Sequence, residues 1–305
     1  MIKKILVFVA LMSYTVFMSA QSVPYLSISQ DPRSLSLGGS GVALNADSYS
    51  FLNNVSSSVF SDNKGAVSTS YTGWMPNGTN LTFVGISGFF KLGSKFSMAF
   101  MGRHIGYKEY TLTDISGNDN GKYKPSDIHA GFGFAYKVAN NFSTSLSLHM
   151  VSSSMSENVR VSALAADLGL TYSSKNYNIG LKVANIGSKL DYGSGPYSLP
   201  ANLNAGFAYK KEINSKSSII TAINAGYIFS SSGFMAGLGV EYWYNKIVAL
   251  RLGGHYGDAA KSVPSYASVG VGLCLKGITL DAAYLISSKD TPIGNTISLG
   301  FGYKF

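Results

Sequence analysis

The stretch "NTISLGFGYKF", residues 295–305, decides the fold. From Ile297 onward every second residue is large and apolar (Ile297, Leu299, Phe301, Tyr303, Phe305), and between them stand Ser298, Gly300, Gly302 and Lys304. Successive side chains of a strand point to opposite faces, so the segment has one apolar face and one small or polar face. A helix would instead place its apolar residues three and four apart.

The same alternation recurs toward the N-terminus. In "DIHAGFGFAYKV" (127–138) Ile128, Phe132, Phe134 and Tyr136 stand opposite His129, Gly131, Gly133 and Lys137; "GFMAGLGVEYWY" (233–244) and "YASVGVGLCLKG" (266–277) repeat the pattern. Each run is about ten to twelve residues, whereas soluble strands average about five or six and a tilted strand crossing a bilayer needs about nine to eleven. About fourteen runs can be traced, near 67–75, 81–92, 95–111, 127–138, 142–154, 163–173, 176–187, 201–211, 217–229, 233–244, 246–256, 266–276, 278–286 and 295–305. A chain that crosses lipid with strands must close them into a barrel so that every backbone group is paired. The expected fold is therefore all-β, a transmembrane antiparallel β-barrel of about fourteen strands, apolar face to lipid and small or polar face inward.

Connection lengths agree with this topology. Every second one is short ("LGSK", "ANN", "SSK", "KEINSKS", "YNK", "KG"), and those between are mostly longer, as in 112–126 and 187–200; "SSSG" at 230–233 is short for its side. In outer-membrane barrels the short turns are periplasmic and the long loops external. Aromatic residues near strand ends, among them Tyr71, Trp74, Tyr107, Tyr110, Tyr136, Tyr172, Tyr177, Tyr209, Tyr227, Tyr256 and Tyr284, suit the level of the lipid headgroups. The partners implied are outer-membrane lipids, with Phe305 closing the last strand at the membrane edge.

Residues 1–20 read as a cleaved export signal: "MIKK", an apolar run, and small residues before Gln21. The remaining chain divides into a segment 21–66 and a barrel 67–305. The single cysteine, Cys274, cannot form an internal disulfide. Formal net charge is +9, and +7 once Lys3 and Lys4 leave with the signal. The lysines fall one or two at a time in predicted turns and read as solvated turn residues, so no nucleic-acid partner is expected.

No phosphate-binding glycine loop, metal-ligand spacing or nucleophile elbow stands in the sequence, so neither a metal nor another cofactor is expected and no catalytic residue is assigned. The four histidines, His104, His129, His149 and His255, lie on different strands. Alternation places His129, Lys137, Asp167, Lys182, Lys210, Glu241 and Arg251 on or near the inner face, as a polar path or a mutually paired lumen. Which residues would contact a ligand is not legible from alternation.

The segment before the barrel has another texture. Gly38, Gly39 and Gly41 allow a tight path or a close approach to a wall. "ADSYSFLNNV" (46–55) reads as a short helix capped by Asp47 or Ser48. Such a segment has room to sit in the lumen as a plug.

The series "LSISQDPRSLSLGGSGVALNADSYSFLNN" (26–54), "VSTSYTGWMP" (67–76), "FFKLGSKFSMAFMGRHIGY" (89–107) and "TDISGNDNGKYKPSDIHAGFGFAYK" (113–137) resembles the PorV/PorQ family, itself similar to the FadL family of fourteen-stranded barrels. Where that family usually carries Asn-Pro-Ala after the short helix, this chain has Asn53, Asn54 and Val55. The resemblance implies an outer-membrane barrel with an N-terminal hatch that includes Gly38, Gly39, Gly41, Asn53 and Asn54. It also implies a role without catalysis. PorV-like members act in type IX protein secretion, with translocon or cargo proteins as partners; FadL-like members admit hydrophobic small molecules. Phe301, Tyr303 and Phe305 resemble the C-terminal signal read by the barrel-insertion machinery.

Overall fold

The computed structural model describes residues 23–305 apart from 77–79, 194, 288–290 and 292, so the expected export signal lies outside the described residues. Fourteen strands form one closed barrel. They are β1 (Gly65–Trp74), β2 (Leu81–Lys91), β3 (Phe96–Gly106), β4 (Ser126–Ala139), β5 (Phe142–Ser156), β6 (Val159–Ser173), β7 (Tyr177–Gly187), β8 (Asn202–Glu212), β9 (Ser217–Ile228), β10 (Gly233–Tyr244), β11 (Val248–Gly257), β12 (Tyr266–Leu275), β13 (Ile278–Ile286) and β14 (Ile297–Lys304). Each pairs antiparallel with its chain neighbours, and β14 returns to pair with β1, with Val67 opposite Tyr303 and Thr69 opposite Phe301. No edge is left over, which is the condition for strands in lipid.

Alternation holds around the wall. Phe132, Leu252 and Phe301 are exposed on the outside, whereas Ser147, Glu241, Arg251 and Ser268 are buried inside. An apolar band encircling the molecule far exceeds the patches of a few hundred Å² usual on soluble monomers, and lipid is the solvent that suits it. Rings gather along its lower edge: Phe96 lies 4.8 Å from Tyr136, and Tyr177 6.0 Å from both Tyr172 and Phe207.

Several expectations need correction. Trp74 and Tyr107 do not join the aromatic girdle: Trp74 is buried in an inward cluster, and the Tyr107 hydroxyl donates to Asp127 Oδ2 at 2.7 Å. Each is out of phase with the outward residues of its strand, Tyr71 and Phe96. The connection between β5 and β6 shrinks to Glu157 and Asn158, because both strands continue as a hairpin. The run beginning near 95 ends at Gly106, and the loop after it folds into a hairpin of its own, with Tyr110–Thr113 against Asp119–Tyr123. The expected helix over 46–55 is one turn, Ser50–Asn53, entered from Tyr49; Asp47 Oδ1 accepts from the Tyr49 N–H at 2.8 Å instead of capping a longer helix.

At the barrel seam, the Gly65 N–H donates to Phe305 O at 3.1 Å and the Phe305 N–H donates to Gly65 O at 3.0 Å. The Phe305 ring stands 5.8 Å from Phe90 on the lipid side. Phe305→Ala keeps the backbone pair and removes the ring contact, worth on the order of 1 kcal/mol. The expected result is a lower yield of heat-resistant barrel on semi-native gels; an undiminished yield would show that the ring contributes nothing at the seam.

Candidate functional site

The chain from Val23 to Lys64 packs against the inward face of the wall, and the contacts are specific. Gly38, in the left-handed region at φ +66°, turns the chain against a patch of wall glycines. A Cβ on Gly237 or Gly253 would come within 3.0 Å of Gly38 backbone atoms, and one on Gly239 within 3.0 Å of Leu37. The wall is bare where the segment touches it, so two backbones meet without side chains between them. The Gly38 N–H donates to Ser268 Oγ at 3.2 Å, and His255 Nδ1 lies 2.9 Å from Gly38 O.

Gly41 leaves room for Asn53, whose Oδ1 fills the space a Cβ would take. Asn53 accepts from Ser34 Oγ at 3.0 Å and donates to Asp31 Oδ2 at 3.2 Å, tying two parts of the segment together. Asn54 is buried, and its Nδ2 donates to Leu170 O at 3.1 Å, Thr171 Oγ1 at 3.3 Å and Val42 O at 3.3 Å. Its Oδ1 accepts from the Ser56 N–H at 3.2 Å and occupies the space beside Gly169. Asn54→Ala would remove the side-chain donor to Val42 O and the acceptor for the Ser56 N–H, at about 1–3 kcal/mol. Faster hydrogen exchange in residues 42–60, with the barrel strands unchanged, is the expected reading; unchanged exchange would mean that water replaces the amide.

Two ionic networks cross the lumen. In the first, Asp47, Arg33, Glu241, Arg251 and Asp281 alternate in sign. Arg33 grips Glu241 with two bonds (2.9 and 3.1 Å) and reaches Asp47 at 2.9 Å; Arg251 meets Glu241 and Asp281 at 2.6 Å each. In the second, Lys182 Nζ lies 3.1 Å from Asp167 Oδ2, Asp167 Oδ1 lies 3.1 Å from His149 Nε2, and His149 Nδ1 lies 3.0 Å from His129 Nε2. Lys182 also donates to Leu52 O at 3.0 Å, and Arg103 binds the side chain and carbonyl of Gln30. The His149–Asp167 pair has the form of a proton relay, but its far end meets a second imidazole rather than a serine hydroxyl.

Five of the seven charged or imidazole groups expected inside thus join the two networks. Lys137 and Lys210 stand apart at the short-turn mouth, Lys137 5.5 Å over the Phe60 ring and Lys210 2.6 Å from Glu212. Arg33, Asp47 and Asp281 were not foreseen as members, nor was the separate contact of Arg103 with Gln30. The signal available for Arg33 was the wall itself, since an inward Glu241 requires a cation, but nothing in alternation says which one.

The two mouths differ. Toward the long loops, Val23, Tyr25, Leu35, Leu190, Leu199 and Ile293 belong to a single apolar cluster that fills the lumen. Beneath it lies a cavity of about 90 Å³ with a mixed wall, in which Gln30, His129, Lys182 and Asn204 stand beside Leu26, Phe51 and Met235. At the short-turn mouth is an open vestibule of about 560 Å³ whose walls include Arg33, Asp47, Lys175, Trp243 and Lys304. A third, apolar hollow of about 430 Å³ lies on the outer face across β1, β14 and β13, beside Tyr71, Leu299 and Phe301.

Comparison with known proteins adds the following. The model of a family described as type IX secretion system protein PorV matches residues 15–229. No curated protein matches the chain. Among solved structures, the toluene transporter TbuX of Ralstonia pickettii has a TM-score of 0.62 at 14% identity, over 90% of this chain and 97% of that one. The P. putida toluene transporter TodX gives 0.60 at 14% identity, over 90% and 98%. A Pseudomonas aeruginosa FadL homologue gives 0.55 at 11%, over 90% and 98%. At such identities the likeness is one of fold.

Proposed function

The chain belongs to the PorV family, and from that premise we propose that it is a non-enzymatic outer-membrane barrel of type IX protein secretion that binds translocon or cargo proteins through its external loops. The family match carries this reading. The loops available for it are 107–125, where the Tyr110–Tyr123 hairpin projects with Ile115 fully exposed at its tip, and 188–201. Asp114 shapes that tip by accepting from the Ser116 and Asn118 N–H groups at 2.8 and 2.9 Å.

In the same reading, residues 21–66 act as a hatch held by Gly38, Gly39, Gly41, Asn53 and Asn54. Among the described residues the inner cavities are a small one of about 90 Å³ and an open vestibule of about 560 Å³, both with mixed polar and apolar walls, and the external mouth is filled by an apolar cluster. A conduit for hydrophobic molecules calls for a largely apolar pocket of about 300–1,000 Å³. That contrast favours partner binding over the FadL-like alternative.

Affinity purification of the tagged protein from mild-detergent membranes, followed by mass spectrometry of proteins and lipids, tests the assignment. Recovery of a large translocon barrel, or of exported proteins sharing a C-terminal domain, is the expected result. A preparation carrying only bound fatty acids or other hydrophobic molecules would replace it with the conduit.

A further inference from the structure

Closure of the barrel gathers charges that are scattered in the sequence. Among the described residues, the short-turn rim carries lysines from almost every turn, against only Asp62 and Glu212. The opposite rim mixes signs, as in the Lys122–Glu109 pair at 3.3 Å, and the lumen between them is slightly acidic. The net positive charge of the barrel therefore resides on one rim.

Part of that ring faces inward. Lys175, Lys210, Lys246 and Lys304 line the 560 Å³ vestibule. Of these, only Lys210 makes an ion pair among the described residues, with Glu212. Deeper in the same vestibule Asp47 and Asp281 pair with Arg33 and Arg251, which also share Glu241, so that row carries one net negative charge; among the described acids lining the vestibule Asp62 alone has no ion pair. The lining still carries more cations than acids, and a concave site with an excess of one sign and a low-dielectric wall behind it focuses its field on whatever enters. Trp243 and Phe60 supply partly buried aromatic surface in the same wall.

We propose that this periplasmic vestibule is a docking site for an acidic polypeptide segment of a periplasmic partner. Lys210 and Lys304 share the inward phase of their strands and Lys175 and Lys246 stand in turns beside the same hollow, which distinguishes these four from the other lysines of the rim. An extended acidic peptide satisfies both features of the wall: its carboxylates meet the ammonium groups, and apolar residues within it meet Trp243. The proposal is independent of which proteins bind the external loops, since it concerns the opposite mouth.

The test uses the full mature chain in zwitterionic nanodiscs, with fluorescein-labelled oligoglutamate, oligoserine and oligolysine peptides followed by anisotropy. Oligoglutamate is expected to bind more tightly than the other two and to weaken as salt rises. Combined Lys175→Gln, Lys210→Gln, Lys246→Gln and Lys304→Gln should weaken it at least about tenfold. Combined Lys108→Gln, Lys122→Gln, Lys124→Gln and Lys261→Gln, on the opposite rim, should leave it unchanged. Cys274, which also lines the vestibule, gives a second reading: an oligoglutamate ended in a cysteine activated as its thionitrobenzoate mixed disulfide should exchange onto the Cys274 thiolate, releasing thionitrobenzoate, faster than the equally activated oligoserine does. Equal loss in the two quadruple variants, or no preference for oligoglutamate, overturns the proposal. So does a vestibule variant that keeps peptide affinity and loses only adsorption of vesicles containing phosphatidylglycerol, which would assign the ring to lipid.

Discussion

Glu241→Ala is expected to destabilise the barrel by about 3–5 kcal/mol, the usual cost of removing one partner from a buried ion pair. Glu241 is fully buried and answers two guanidinium groups at once, Arg33 from the inner segment and Arg251 from β11. Without it two cations face each other across a hole, with only Asp47 and Asp281 at the ends of the row. Glu241→Gln keeps the volume and one acceptor, so a smaller loss is expected. Combining Glu241→Leu with Arg251→Met and Asp281→Asn removes the three wall charges of the row and leaves Arg33 with Asp47; this combination should recover much of the stability lost by Glu241→Ala. Urea unfolding of the protein refolded into vesicles measures all three. A Glu241→Ala midpoint equal to the parent's would mean that water already solvates the network and that it holds nothing together.

Gly253→Val is expected to displace the inner segment while the wall persists. A Cβ at this position would lie closer than 3.0 Å to backbone atoms of Leu37 and Gly38, which have no flexible end to move aside. Overpacking of this kind costs about 1–3 kcal/mol, and a branched residue adds to it. Gly254→Ala is the matched control, since a Cβ there meets nothing within 4 Å. Limited proteolysis should release fragments from residues 23–64 in the first variant only, with the heat-resistant barrel band retained in both. Equal protection in the two variants would show that the segment tolerates a shifted seat.

Much of this architecture is legible because a strand's period is local. Once Phe301 and Tyr303 face lipid, Gly300 and Gly302 must face inward, and the same two-residue rule places His129, His149, Asp167, Glu241 and Arg251 inside without reference to any other strand. Trp74 and Tyr107 show the cost of setting that rule aside. Their aromatic character suggested the girdle, whereas their phase relative to Tyr71 and Phe96 had already placed them inward. The two-residue turn at Lys276 and Gly277, both with positive φ (49° and 87°), is local in the same sense, and Gly277 supplies the left-handed backbone such a turn needs. The Glu157–Asn158 hairpin was missed, although Asn158 is an ordinary turn residue, because the flanking strands continue past the length a bilayer needs.

What the sequence by itself determined is the class of solvent on each face: periods of two, repeated over lengths that span a membrane, specify a lipid-facing band, an interior and a strand count. What only the tertiary structure decided is everything that joins residues far apart in the chain. Arg33 sits in a segment with no periodicity, and its partner Glu241 is 208 residues away; Gly38 finds its seat among Gly237, Gly239 and Gly253. The lysines read singly as solvated turn residues, and only barrel closure brings Lys175, Lys246 and Lys304 around one vestibule. The physical reason is common to all three. Alternation constrains which way a side chain points, while partnership depends on where the closed wall and the chain folded against it bring charges and bare backbone together, a geometry set by closure rather than by any local stretch.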